Sequence, residues 1–373
     1  MEHTERILIV GGGVAGVTTA RSLVRAGASD VVLLERESHL GAHSTAKNAS
    51  ILRTLTGEAA TTELTLETFA FLQDPPPGFT EVPLIDPVGL VLVISTFDRG
   101  ALERWRARKQ PGSVTELSPA ELRTLAPHYA GVAEGALLVR DEGHLDVAAL
   151  FDGLVHDALE GDARLRTGAA VREFITEAGR VVGVELEDGE RIEAQKVVIA
   201  AGGWARPLAR DVGSRLDFEP RRRHLLVTAA EERVDPRWPI VWSEPDQFYV
   251  RPESGGLMVC ACDQDAVDPD SCETLEEVLE RIAEKTTRCL AGFEDAQAAH
   301  FWAGMRTFCP DPDFAIGSDP DVDGLFWVAG LGGHGMSTSI GVGRLAAGLL
   351  LGKDVDQDVA RAVDPARFVA VAD

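Results

Sequence analysis

The chain is 373 residues long, with 36 Lys and Arg against 60 Asp and Glu and a formal net charge of −24. That length exceeds one small core, so two domains are expected, and a composition 45% hydrophobic and 26% charged is that of a globular chain. The excess of acid excludes nucleic acid and anionic lipid as partners, because both require clustered positive charge. No stretch approaches a transmembrane helix in length. The acidic opening Met1-Glu-His-Thr-Glu-Arg6 runs straight into an apolar strand and leaves no room for a signal peptide, so a cytoplasmic protein is expected, with peripheral membrane contact left open. Cys260, Cys262, Cys272, Cys289 and Cys309 show no paired CxxC spacing, so reduced thiols and no metal site are expected. Cys260-x-Cys262 would place both thiols on one face of a strand.

The first element is the apolar run Ile7 to Val10, which leads into Gly11-x-Gly13-x-x-Gly16, a helix from Val17 to Ala26 and a second apolar run, Val31 to Leu34, that closes on Glu35. In that order the first glycine permits a tight turn, the second lets backbone approach a pyrophosphate, and the third lets helix pack on strand. Gly11, Gly13, Val14, Ala15 and Gly16 thereby bring a helix N-terminus to the phosphates, and Glu35, with Arg36 beside it, stands where an acid accepts bonds from a ribose. A bound dinucleotide is expected, flavin or nicotinamide.

Next comes a polar loop of small residues, Gly41 to Ser50, whose His43, Ser44, Thr45, Asn48, Ala49 and Ser50 are candidate cofactor ligands. Spacing predicts a helix over Thr61 to Leu72, stopped by Asp74-Pro-Pro-Pro-Gly78, then a β-branched strand from Val88 to Ser95 and charged helices near Asp98 to Lys109 and Ser118 to Leu125. An amphipathic helix opens at Leu145 and runs to Leu159. Short strands follow at Val171 to Ile175, Val181 to Leu186 and Arg191 to Glu193, with a hairpin turn at Glu187-Asp-Gly-Glu190. A buried strand then ends in Ala201-Gly202-Gly203-Trp204, a second place where backbone can press on a cofactor.

Arg221-Arg-Arg223 opens strands near Leu225 to Thr228, Phe248 to Arg251 and Leu257 to Cys262, with one arginine a candidate to face an anion, and Leu275 to Leu290 reads as a helix. Finally Leu325 to Gly330 is a strand feeding Leu331-Gly-Gly-His-Gly-Met-Ser337 and a long helix from Thr338 to Leu351. This second glycine turn onto a helix start suits negative charge such as a reduced flavin carries near its pyrimidine ring.

These motifs together resemble the FAD-dependent D-amino-acid oxidase superfamily, through Gly11-x-Gly13-x-x-Gly16, Glu35, the His43 to Arg53 loop, Ala200-Ala-Gly-Gly-Trp204 and Gly330 to Ser337. Within it the D-arginine dehydrogenase branch is most similar, through His43-Ser-Thr45, Pro75-Pro76, Gly78-Phe79, Trp238-Pro239, Phe248-Tyr249, Trp302-Ala-Gly304 before Arg306, and Phe326-Trp-Val-Ala329. The resemblance implies an α/β fold: a Rossmann-type, glutathione-reductase-like FAD-binding domain from 1–84, 145–220 and 303–373, and an α+β substrate domain from 85–144 and 221–302 on a mostly antiparallel sheet. It implies FAD held non-covalently, since Gly304 stands where a relative carries a flavin-linking cysteine. Its cofactor contacts would extend to Val171, Ala201, Gly202, Trp204, Gly304, Arg306, Gly332, Gly333, His334, Gly335, Met336 and Ser337.

The resemblance further implies that Arg222, Tyr249 and Arg306 hold a substrate carboxylate, with His43 or His334 assisting. Leu52 beside Arg53 replaces a tyrosine, Leu90 replaces the glutamate that binds a guanidinium, Ser337 replaces a glutamine, and Met258 stands where an oxygen-activating lysine would be. Leu52, Leu90 and Trp242 suggest an apolar or aromatic substrate side chain, and Arg53, if inward, an acidic one. The activity expected is oxidation of the Cα–N bond of a D-amino acid to an imine that hydrolyses to a 2-oxo acid and ammonia. The electron acceptor is open among quinone, dye-like acceptor and oxygen, with a dehydrogenase favoured. The alternatives are a glycine- or sarcosine-type amine oxidase, a 2-hydroxy-acid dehydrogenase on the same fold, or a flavin-binding subunit of a larger assembly.

Overall fold

The apolar runs of the sequence become the strands of one sheet in a computed structural model, whose described residues are 5–94, 99–131 and 133–369. Its six strands lie in the order Ala315–Ser318, Leu325–Ala329, Lys196–Ile199, Ile7–Val10, Val31–Leu34 and Arg164–Arg166, parallel except for the first pair. Ile7–Val10 is buried along its whole length, as a parallel strand covered on both faces must be. The helices Val14–Arg25 and Ser339–Leu350 pack side by side on this sheet, where Thr18 Oγ1 donates to the Ser339 carbonyl at 2.7 Å. Two strands of the sheet thus end in glycine turns that start neighbouring helices.

A second sheet has eight strands in the order Ala298–Phe308, Glu219–Thr228, Gly256–Cys260, Phe248–Glu253, Ile240–Ser243, Leu90–Val93, Ala136–Val139 and Val114–Leu117. All its pairings are antiparallel except that of Ile240–Ser243 with Leu90–Val93. The helix Glu277–Cys289 buries Val278 and Ile282 against one face, in a cluster with Val241, Phe248, Val250 and Val259. On the other face lie Leu225, Val227, Tyr249 and Met258, packed with Ala49 and Ile51 of the polar loop. Together the two sheets make the α/β architecture expected, a Rossmann-type layer beside a mostly antiparallel one.

Several boundaries differ from the sequence expectation. The expected helices at Thr61, Leu145 and Leu275 run from Ala59–Gln73, Val147–Glu160 and Glu277–Cys289; Asp146 caps the second by accepting from the Ala149 N–H. Ser118 caps Pro119–Leu125 in a reciprocal box with Glu121. Ser95 and Asp98, like Met1 to Thr4, lie outside the described residues. The strands Val114–Leu117, Ala136–Val139, Ile240–Ser243 and Ala298–Phe308 were not expected; the last runs past residue 303, where a domain boundary was placed. Cys260 and Cys262 do not share a strand face, because the strand ends at Cys260 and Cys262 turns to φ +52°. All five cysteines are free, and no helix among the described residues is long and apolar enough to cross a membrane.

His128 is buried at 2% exposure, stacked on Trp238 at 4.2 Å, with neither ring nitrogen bonded. Burial pulls it down to about 4 from an ordinary 6.5. The unfolded chain therefore binds a proton that the folded chain refuses, so stability is full above 6.5 and falls as pH drops towards 4. His128→Phe, which keeps the stack, is expected to remove on the order of 1–2 kcal/mol of the stability lost between pH 8 and pH 5, measured by urea unfolding; an unchanged acid limb contradicts this.

Candidate active site

A cavity of about 900 Å³ joins the first glycine turn to the free face of the eight-stranded sheet. At its first end Gly11 has φ +114°, and a Cβ there would fall 2.5 Å from the Ala200 carbonyl oxygen, so only glycine lets these two strand ends meet. Gly13, at the N-cap of the helix Val14–Arg25, has no side chain with which to cap it. Gly13, Val14 and Ala15 line the cavity, with the Val14 N–H donating to Thr45 Oγ1 at 3.0 Å. Gly16 does not line it; a Cβ there would lie 1.9 Å from the Gly11 carbonyl oxygen, so its part is packing.

Glu35 closes this end. Its Oε2 accepts the Gly12 N–H at 2.7 Å and its Oε1 the Glu37 N–H at 2.8 Å, which fixes the carboxylate and leaves lone pairs for a further donor. Arg36 lies over the Trp204 ring at 4.6 Å. His43 bonds Glu37 Oε1 at 3.0 Å and packs on Trp204 at 4.5 Å, so it belongs to this end and not beside the arginines. Ser44, Ala49, Ser50, Val171, Ala201 and Gly202 also line the cavity. The Asn48 amide, which lines it too, is spent on its own loop, donating to the Thr45 carbonyl at 2.6 Å and accepting the Ser50 N–H at 2.7 Å.

The second glycine turn, Gly330 to Ser337, forms one wall. Gly333, at φ +96°, lies where a Cβ would meet Arg306 Cδ at 2.8 Å, so its bareness lets that side chain pass. Gly332, Gly335 and Met336 share this wall, and the Ser337 and Thr338 hydroxyls both donate to the His334 carbonyl, at 3.0 and 2.9 Å.

At the far end the sheet presents two guanidiniums and a phenol. Arg221 pairs with Arg306 and Arg223 with Gly304 across antiparallel strands, so Arg223 and Arg306 share a face. Arg306, 9% exposed, donates through Nη1 to the Met305 carbonyl at 2.8 Å, and Arg223 Nε donates to the Asp263 carbonyl at 2.7 Å. Asp263 is itself pinned by His224, whose Nδ1 lies 2.6 Å from its carboxylate while Nε2 accepts the Leu275 N–H at 3.0 Å. That second bond places the ring proton on Nδ1. Tyr249 stacks on Trp242 at 4.5 Å, and Arg53 lies over the same indole at 4.2 Å. Burial, then the neighbouring Cys260, holds the Tyr249 phenol well above its usual range, so it remains a donor. Burial first, then the charges of Arg53, Arg306 and Arg223, pulls His334 down to about 3 and keeps it neutral.

Several expected residues lie elsewhere. Arg222 points away from the cavity, by strand alternation, and donates to the Ser271 carbonyl at 3.0 Å; Arg223 takes the facing position. Leu52 is fully buried in the core under the first sheet, alternating with cavity-lining Ile51 and Arg53, and its N–H donates to the Gly143 carbonyl at 2.9 Å. Leu90 is covered by Leu55, Leu66 and Trp105. Gly304 lies under the Lys47 backbone, and Met258 is buried beside Leu225 and Tyr249 rather than lining the cavity. Cys309 does not line it either. Sequence reasoning missed Glu37, Gln247, Gln264, Asp270 and Met305, none of which stands in a motif, and took Cys262 only as a strand thiol; the triple arginine was the one signal for Arg223.

Residues 6–349 match the family described as DAO, FAD dependent oxidoreductase. The chain belongs to this family. Similar curated proteins include a 4-methylaminobutanoate oxidase (formaldehyde-forming) of Paenarthrobacter nicotinovorans, 27% identical over 97% of this chain, although the chain spans only 45% of that protein. A D-amino acid dehydrogenase of Methylobacterium sp. (strain 4-46) is 26% identical over 93% of this chain and 96% of its own length. In fold, the L-proline dehydrogenase of P. horikoshii superposes with a TM-score of 0.82 at 21% identity, covering 99% of both chains. FAD is the cofactor of this oxidoreductase, and the cavity fits it: a helix start led by a bare glycine, suited to the pyrophosphate, a fixed carboxylate suited to the ribose, and a second glycine turn near the arginines.

Gly11→Ala in the FAD-dependent oxidoreductase is expected to weaken FAD retention about 100-fold, since the added methyl strikes the Ala200 backbone where the strand ends meet. Flavin content after gel filtration, with circular dichroism as a check on folding, measures it; full retention contradicts the cradle.

Proposed function

We propose that this chain oxidises the Cα–N bond of a D-amino acid to an imine, which water hydrolyses to a 2-oxo acid and ammonia. The observation that carries this is the set Arg223, Arg306 and Tyr249 on one sheet face, open to the FAD cavity, while the lining acids Glu35, Glu37, Glu187 and Asp270 belong to the other end. The relatives named for amine and D-amino-acid chemistry support the same reading. We further take the parallel sheet as the cofactor-binding domain and the eight-stranded sheet as the substrate domain, with FAD held non-covalently.

The residues act as follows. Arg223 and Arg306 pair with the α-carboxylate, and the protonated Tyr249 donates a third hydrogen bond, so the ligand is fixed by its acid and its Cα–H points towards the glycine walls. FAD, held by the two glycine turns and Glu35, would supply the acceptor for the hydride from Cα. His334 is too weak a base to take the ammonium proton, and the guanidiniums Arg53, Arg223 and Arg306 themselves disfavour an ammonium nearby. The amine therefore enters neutral, its nitrogen lone pair free to form the imine as the hydride leaves.

Anaerobic mixing of the FAD-loaded protein with D- and L-amino acids tests this. Bleaching of the flavin absorbance by D-amino acids is expected, and Tyr249→Phe together with Arg223→Met should raise KM by about 100-fold or more. Bleaching by 2-hydroxy acids but by no amino acid would contradict amine oxidation and favour a hydroxy-acid dehydrogenase.

A further inference from the structure

Arg53 is a third guanidinium at the substrate end that an α-carboxylate clamp does not use. It lies over Trp242 at 4.2 Å, and Tyr249 stacks on Trp242 at 4.5 Å with the planes 13° apart. Two groups so near one ring centroid cannot share a face, so Arg53 and Tyr249 flank the indole on opposite sides. All three line the cavity. Arg53 Nε is buried with no acceptor, and no ion pair or hydrogen bond engages the guanidinium elsewhere among the described residues. Glu142 and Glu58 temper the cost of burying this charge, but neither pairs with it, and Glu142 Oε1 is already taken by Thr54 and by Lys109 at 3.1 Å. A guanidinium held over an aromatic ring keeps its N–H donors free for an anion. Partly buried and left unpaired it is costly, and a ligand acid would relieve that cost.

We propose that Arg53 recognises a second carboxylate on the substrate, so that the preferred substrates are amino acids bearing two acids, one held by Arg223, Arg306 and Tyr249 and the other, across the edge of Trp242, by Arg53. This rests on the amine oxidation proposed above. The second acid is carried either by the side chain or by a substituent on nitrogen, and the test separates the two sources. Arg53 is a specificity determinant: it holds the end of the ligand remote from Cα.

The test compares kcat/KM for D-aspartate and D-glutamate with D-asparagine and D-glutamine, and for N-carboxymethylglycine with N-methylglycine, in the FAD-loaded protein and in its Arg53→Met and Arg53→Lys variants. Methionine keeps the stem over Trp242 and removes the charge; lysine restores charge without the planar fork. The acids of one or both series are expected to be preferred by about 100-fold, with Arg53→Met abolishing the preference by raising KM far more for the acids than for their neutral partners, and Arg53→Lys recovering part of it. Binding of succinate and glutarate against propionate and butyrate, followed by perturbation of the flavin spectrum, is a readout that needs no turnover. There the dianions should bind more tightly, and only while Arg53 is present. Preference for the neutral partners in both series, or equal loss for acid and neutral ligands in Arg53→Met, overturns the proposal. Selective dianion binding that depends on Arg53, without bleaching by any amino acid, would sustain the subsite and reject amine oxidation.

Discussion

The arginine-lined end of the cavity depends on one pairing, that of Glu219–Thr228 with Ala298–Phe308, in which Arg221 stands opposite Arg306 and Arg223 opposite Gly304. Side chains alternate with a period of two along each strand, so this register decides which arginines face the cavity. A slip of one residue on the first strand would exchange Arg223 for Arg222. Gly304 belongs to the same arrangement: opposite Arg223, it leaves room for the Lys47 backbone, whose carbonyl Arg306 approaches at 3.4 Å. The polar loop that follows the second strand is thereby laid across the eight-stranded sheet, and the cavity is the space between them.

Electrostatics divides that cavity in two. The helix start and the lining acids sit at one end, and three guanidiniums sit at the other. Buried arginines are costly unless hydrogen-bonded, and here backbone carbonyls do that work for two of them: Met305 for Arg306 and Asp263 for Arg223. The His224–Asp263 pair, fully enclosed, holds the latter carbonyl in place. Carbonyls satisfy the donors without neutralising the charge, so the site keeps its attraction for an anion. Burial first, and then the same field, keep His334 neutral, so that it lines the cavity as a polar wall instead of a base.

Much of the cofactor end was legible in the sequence because its signals are local. Gly11, Gly13, Glu35 and the Gly330 to Ser337 turn each lie within a few residues of the strand or helix they serve, and the positive φ of Gly11, Gly330, Gly332 and Gly333 is one that few other residues supply. The substrate end was legible only as a set of candidates. Tyr249, Arg306, Trp242 and Arg53 were expected and line the cavity, yet Arg222 was chosen over Arg223, because three consecutive arginines carry no phase until the partner strand supplies it. Leu52 and Leu90 failed for the same reason, each apolar residue being as suited to a core as to a pocket wall. Strands such as Ala136–Val139 and Ala298–Phe308 escaped notice because one is short and the other mixes polar with apolar residues, both held by pairing rather than by propensity.

The most direct measurement is a crystal structure of the FAD-loaded protein with a small, non-oxidisable monocarboxylate. The account predicts carboxylate oxygens within about 3 Å of the guanidiniums of Arg223 and Arg306 and of the Tyr249 hydroxyl, with Arg222 uninvolved. A carboxylate bound away from that sheet face, or held by Arg222, would contradict it.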